Sequence, residues 1–164
     1  MAQTVHLKLK IDGNDIAGES TIASLERADT IECSSFKYSL VTPREEATAM
    51  LTGKRQHKPV KITKRIDQTT PLLLKALCNN EPVNEALFMF YRPSVTGAGV
   101  EEKYFTVKLE NGFVATISQR SEDAITGGEA APPMMEEIGF VFQDITWTYE
   151  INGATHHDSW KGEV

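Results

Sequence analysis

From Val5 to Ile11 the chain alternates strictly: Val5, Leu7, Leu9 and Ile11 are apolar, while His6, Lys8 and Lys10 between them are polar. Side chains on an extended backbone point alternately to opposite faces, so this period of two puts one face on a core and the other in water. Asp12-Gly13 then supplies a turn. The same logic recurs down the chain. Residues 30–41 carry Ile31, Phe36, Tyr38 and Leu40 toward a core, and Pro59–Ile66 carries Val60 and Ile62. Leu87–Tyr91 is apolar on both faces, as a central strand is. Tyr104–Leu109 and Phe113–Ser118 flank Glu110-Asn111-Gly112, which reads as a hairpin. The last long strand places Ile138, Phe140 and Phe142 inward, then changes parity to Ile145, Trp147, Tyr149 and Ile151. A bulge near Gln143-Asp144 restores the inward face and bends the strand.

One segment breaks the alternation. Thr70-Pro71-Leu-Leu-Leu-Lys-Ala-Leu-Cys-Asn79 has Thr70 as N-cap, Pro71 at the first helical position and asparagines at the end. It predicts a helix of two to three turns burying Leu73, Leu74 and Leu77. Seven or so strands with a single short helix predict an all-β fold, a barrel or a sandwich of two sheets. At 164 residues, 40% hydrophobic and 24% charged, the chain fits one domain spanning 1–164.

Three stretches read as loops: Gly13–Asp29, Thr42–His57 and the Gly/Ala/Pro-rich Glu122–Glu136. A loop beyond ~12 residues is usually functional or disordered. In the second, the apolar Met50-Leu51 suits docking into a neighbour. The net charge is −6, against a general nucleic-acid binder, and it is unevenly spread. Residues 1–100 hold 13 basic and 11 acidic side chains, net +2, and residues 101–164 hold 4 and 12, net −8. Such polarity fits two ends with different partners, or copies meeting head to tail.

The candidate chemistry is sparse. Cys33 and Cys78 have no neighbours in ligand spacing and read as buried structural thiols. His156-His157-Asp158 has metal-ligand residue types, but neighbours on an extended segment point to opposite faces, so no metal or cofactor is expected. His57 and Cys78 are a base and a nucleophile by type, yet no nucleophile elbow or oxyanion loop accompanies them, and no enzyme is expected. The basic run Lys54–Arg65 puts charge on both faces of its strand, which suits a guarded edge or a subunit interface. It lacks the interleaved aromatics of an oligonucleotide-binding barrel. No signal-peptide-like or membrane-spanning apolar run is present, so folding in the cytosol is expected, with any export independent of a signal peptide.

A resemblance gives these observations a direction. Arg55-Gln56-His57-Lys58-Pro59, then Ile62-Thr-Lys64-Arg-Ile66-Asp67 and Pro71-Leu-Leu-Leu-Lys-Ala-Leu77, resemble the Hcp (haemolysin-coregulated) proteins, the tube subunits of bacterial type VI secretion systems. The likeness extends through Ile11-Asp12-Gly13, Gly18-Glu19-Ser20, Phe90-Tyr91-Arg92, Tyr104-Phe105-Thr106, Lys108-Leu-Glu-Asn111 and Ile145-Thr-Trp147-Thr-Tyr-Glu150. It departs at Ala154–Trp160 and over Glu122–Glu136.

The resemblance implies a phage tail-tube-like barrel that forms homohexameric rings. Those rings stack into a tube inside a contractile sheath, beneath a VgrG-type spike, and are expelled with small effector proteins in the lumen. It implies no active site. A phage or phage-like tail-tube protein and a ligand-binding β-barrel are the alternatives. On this reading the loop residues Glu45, Glu46, Ala47, Met50 and Leu51 are the expected ring-stacking contact. The polar row Ser35, Lys37 and Ser39, opposite Phe36, Tyr38 and Leu40, is the expected lumen face.

Overall fold

The computed structural model describes residues 3–97, 99–121, 125 and 133–160. Its elements are β1 (Thr4–Ile11), β2 (Asn14–Ile16), β3 (Ile31–Lys37), β4 (Leu40–Val41), β5 (Gln56–His57), β6 (Val60–Arg65), α1 (Thr70–Asn79), β7 (Val83–Pro93), β8 (Glu101–Arg120), β9 (Met135–Val141), β10 (Asp144–Tyr149) and β11 (Ala154–Ser159). Hydrogen-bonded neighbours run β8–β7–β1–β3–β6–β9 and back to β8, closing a six-stranded barrel. Strands β10 and β11 continue the sheet beyond the other edge of β8, and β4 with β5 forms a separate two-stranded ribbon.

The opening alternation holds on its apolar face: Leu7, Leu9 and Ile11 are buried and Lys8 and Lys10 exposed. Asp12 and Gly13 both adopt positive φ, the geometry of a two-residue hairpin turn, and join β1 to β2. On the opposite face, His6 departs from expectation and is fully buried. The Thr30 hydroxyl donates to the Arg27 carbonyl (2.7 Å), so His6 Nδ1–H donates to Thr30 Oγ1 (2.9 Å), and the ring meets Tyr91 edge-on at 5.6 Å.

Burial holds the His6 imidazole below its ordinary 6.5, against the pull of Glu32 and with help from Arg27. The unfolded chain therefore binds the proton more readily, so stability falls as pH drops through about 6.5. Replacing His6 with phenylalanine is expected to flatten the stability–pH curve between pH 7 and 5, as measured by urea unfolding. A slope unchanged from wild type would contradict this.

The predicted hairpin at Glu110-Asn111-Gly112 is not a hairpin. β8 runs straight through it for 20 residues, its first half paired with β7 and β10 and its second with β9. Asn111 takes φ 54°, which turns the strand a corner instead of reversing it. β9 and β10 follow the same corner in constant register, Phe113 facing Val141 and Glu110 facing Asp144. Gln143 N–H donates to the Asn111 carbonyl across the bend (3.2 Å). The expected change of parity near Gln143-Asp144 is present, with Phe140 and Ile145 buried on either side, but the constant register leaves no extra residue there: the strands share a corner, and the expected bulge is not formed. Ile151, expected to face inward, lies exposed in the turn after β10.

Helix α1 starts one residue earlier than expected: Thr69, not Thr70, is the N-cap, and Asn80 closes the helix in the left-handed conformation. The shift follows from Asp67, whose Oδ1 accepts from the Thr69 N–H (2.9 Å) and hydroxyl (2.5 Å). Leu73 and Ala76 are buried, and Leu74 and Leu77 half-buried. Cys33 is buried as expected, its thiol pushed up to about 12 by burial, but Cys78 is exposed at the outer side of the helix.

Strand β6 is paired on both sides, with β3 and β9, so its basic run guards no edge. Lys64 is instead buried inside: its Nζ meets Glu136 Oε1 at 2.5 Å and Asp67 Oδ1 at 2.9 Å, and Thr70 donates to the same Glu136 oxygen at 2.7 Å. Although burial alone would raise it, bonds from Thr69 and Lys64 hold the Asp67 carboxyl below its ordinary range. This network ties α1 to β6 and β9. The loop expected over Glu122–Glu136 lies mostly outside the described residues, and Met135 and Glu136 already belong to β9.

Candidate assembly surface

Residues 40–57, expected as a loop from Thr42, form an ordered arm. Its base is the β4–β5 pairing, Leu40 with His57 and Val41 with Gln56, reinforced by Lys58 N–H to Ser39 O at 2.9 Å. Farther out, Arg44 and Leu51 form an isolated bridge, and Thr52 N–H donates to Pro43 O at 3.0 Å. The tip closes on Glu45 N–H to Met50 O (2.9 Å) and Ala49 N–H to Glu45 O (2.8 Å), with Ala49 at φ 60°. The Arg44 guanidinium donates to Ala49 O (3.0 Å), and Thr48 to the Glu45 carboxylate (2.8 Å). Glu45, Glu46 and Ala47 are all exposed, and Met50 and Leu51 are 66% and 62% exposed. Leu40, expected in the core, is exposed at the foot of the arm.

At that foot sits a polar cluster which spacing alone did not announce. The Tyr38 hydroxyl lies 2.5 Å from His57 Nδ1, and His57 Nε2 lies 2.6 Å from Asp158 Oδ2. Arg55 grips both oxygens of Asp158 at 2.7 Å. A carboxylate only accepts, so His57 Nε2–H donates to Asp158 and Nδ1 accepts from Tyr38. The hydrogen bonds from Arg55, more than that from His57, hold the Asp158 carboxyl down at about 2. Burial, aided by Asp158, pushes the Tyr38 phenol up to about 12, so it stays a neutral donor rather than a nucleophile. The one available signal was parity: Arg55 and His57 are two apart, so on an extended backbone they point the same way.

The other residue groupings weighed from the sequence have separate partners. His57 is engaged with Tyr38 and Asp158, not Cys78. His156 stacks on Trp147 (5.8 Å) while His157 bonds Thr146 on the opposite face (2.9 Å), and Asp158 is held by Arg55 and His57. Among the described residues no cluster of three or more metal-ligating side chains occurs, and no helix is long and apolar enough to cross a membrane.

Ser35, Lys37 and Ser39 are all exposed beside the arm's base. A register shift between Cys33 and Ser35 changes parity within β3, so Ser34 and Ser35 both lie outside while Cys33 and Phe36 turn inward. Because β1 and β3 are antiparallel, with Leu7 facing Ile31 and Val5 facing Cys33, the arm leaves the barrel where β1 begins. A groove of about 440 Å³, lined by Lys8, Lys10, Ile16, Ala17 and Asp29 among others, lies where β1 ends. Arm and groove thus occupy opposite ends of the strands.

A family model described as "Type VI secretion system effector, Hcp" matches residues 9–149. The chain is 34% identical over 136 residues to the "Major exported protein" of Pseudomonas aeruginosa, covering 83% of this chain and 78% of that protein. It superposes on Hcp1 from the E. coli EAEC 042 pathovar with TM-score 0.81 at 33% identity, covering 97% of this chain and 99% of the other. Secreted protein Hcp3 from Pseudomonas aeruginosa shares the fold at TM-score 0.76 and 24% identity, over 98% of this chain and all of that one. The chain belongs to the Hcp family of type VI secretion system proteins.

Proposed function

We propose that this chain is the repeating subunit of a type VI secretion tube. Six copies close a ring, rings stack into a hollow tube inside a contractile sheath and under a VgrG-type spike, and sheath contraction drives the tube out of the cell without a signal peptide. Small effector proteins ride in the lumen. The observation that carries the reading is the arm: a stiff, self-bonded ribbon that extends its two most apolar tip residues, Met50 and Leu51, into solvent. A monomer gains nothing from that exposure, and such a surface suits a partner. An arm at one end and a groove at the other make unlike contact surfaces on a single chain, which suits head-to-tail repetition. Glu45, Glu46, Ala47, Met50 and Leu51 form the ring-stacking contact. Ser35, Lys37 and Ser39 face the lumen, where they present a polar row to cargo.

Deleting residues 45–52 tests the stacking role. The barrel is expected to fold and to close rings of unchanged mass, while tubes seen by negative-stain electron microscopy disappear. Tubes of wild-type length from the shortened chain would overturn the assignment.

A further inference from the structure

We propose that Arg55, His57 and Asp158, together with Tyr38, form a latch that fixes the arm's direction relative to strand β11 and so holds its tip in the pose that engages a second copy of this chain. The inference rests on the stacking role proposed above and adds the residues that aim the contact.

Position is the first ground. Arg55 and His57 flank the inner end of the arm, and Asp158 lies more than 100 residues away on β11, the last strand of the extended sheet, paired on one side only, with β10. The β4–β5 ladder itself is only two residue pairs long. Two pairs hold a ribbon together without setting its angle to the barrel, since a short, isolated two-stranded unit is marginal in water. The latch supplies the missing restraint between the arm's base and the sheet.

Chemistry is the second ground. A bidentate guanidinium–carboxylate pair has a fixed plane and direction. Both nitrogens of His57 are engaged, so its ring cannot turn without breaking a bond. Its faces and edges are enclosed by Tyr38 at 6.2 Å, Phe142 at 5.5 Å, Trp147 at 6.3 Å and Trp160 at 5.0 Å. In such aromatic surroundings, apolar side chains of similar volume would serve stability as well or better than an ion pair. What the charged cluster adds is orientation. A cluster kept for direction is expected where the arm must meet a partner at a set angle.

The protein carries its own reporters, because both of its tryptophans pack against His57. Three full-length variants separate the possibilities: Arg55→Met/His57→Phe/Asp158→Leu, the isosteric Asp158→Asn, and Met50→Ser/Leu51→Ser. For each, tryptophan fluorescence, thermal midpoint, ring mass and tube assembly at high protein concentration are compared with wild type. The triple variant is expected to shift the fluorescence, keep or raise the midpoint, keep the ring mass and cut the number of tubes at least tenfold. Asp158→Asn is expected to reduce tubes in the same direction by a smaller factor, and it decides the matter if the triple variant does not fold. Wild-type tubes from a variant with shifted fluorescence would overturn the latch. Wild-type tubes from Met50→Ser/Leu51→Ser would overturn the stacking role beneath it. A fall in tubes that merely tracks a fall in midpoint would reduce the cluster to a structural one.

Discussion

Replacing Lys64 with methionine is expected to destabilise the fold by about 3–5 kcal/mol, the range for a buried ion pair that loses one partner. Lys64 and Glu136 are 1% and 0% exposed, and the ammonium is the cation that answers both Glu136 and Asp67. Without it, Glu136 keeps, among the described residues, hydrogen bonds from Thr70 and from Gln119 Nε2 (3.2 Å) and no cation, and its charge is left in a site water does not reach. For a chain of this size the loss corresponds to a melting temperature lower by roughly 10 °C. The double variant Lys64→Met/Glu136→Leu is expected to recover most of it, because it removes the stranded charge along with its partner. Calorimetry of the two variants checks the pair. A single variant as stable as wild type, or a double variant no better than the single, would contradict the buried-pair account.

The second large effect is expected at Gly112, where β8 turns its corner. A Cβ there would lie 2.3 Å from the Val141 carbonyl oxygen and 3.3 Å from the Phe142 Cα. The obstacle is backbone, so it cannot swing aside as a side chain would, and relief requires β8 and β9 to separate at the bend. Gly112→Ala is expected to cost about 1–3 kcal/mol, the usual range for overpacking. The loss should appear in urea unfolding with an unchanged slope, and hydrogen exchange should quicken first around Gly112 and Val141. Gly13, whose absent Cβ would meet no atom within 4 Å but whose φ is +80°, serves as a comparison in which only backbone strain is added. A Gly112→Ala variant indistinguishable from wild type would contradict the corner geometry.

Gly112 also shows where the sequence misleads. Glu110-Asn111-Gly112 carries the residues of a hairpin because the corner and the hairpin make the same local demand, a positive φ and close approach of backbones. Which of the two forms depends on where β9 and β10 lie, and nothing local encodes that. The Asp12-Gly13 turn, with the same type of signal, is a hairpin because β2 folds straight back on β1. His6 fails for a related reason. Alternation assigns a side chain to a face, and the outer face of a barrel is not everywhere wet. Thr30 and Tyr91 cover His6, whereas Lys64 shares the inward parity of Val60 and Ile62 and lies under the helix and its preceding turn.

The site divides the same way. The exposed tip, Glu45 to Leu51, was legible from length and composition, since an apolar pair inside a long polar segment has nowhere local to go. Arg55 and His57 stood in the segment that carried the resemblance, but Asp158 lay in the segment that departed from it. Their meeting depends on how β11 returns along β10, which pairwise spacing does not reveal. Family membership, by contrast, rested on ordered blocks of residues spread along the chain, and those survive any uncertainty about which strand is which.

Everything proposed for the arm and the latch presupposes that copies of the chain close into a ring. The direct measurement is the mass of the purified full-length protein in solution by sedimentation or native mass spectrometry. The predicted result is a species six times the 18.2 kDa chain mass, with longer stacks appearing as concentration rises. A species that remains at 18.2 kDa across the same concentrations would contradict the tube-subunit account.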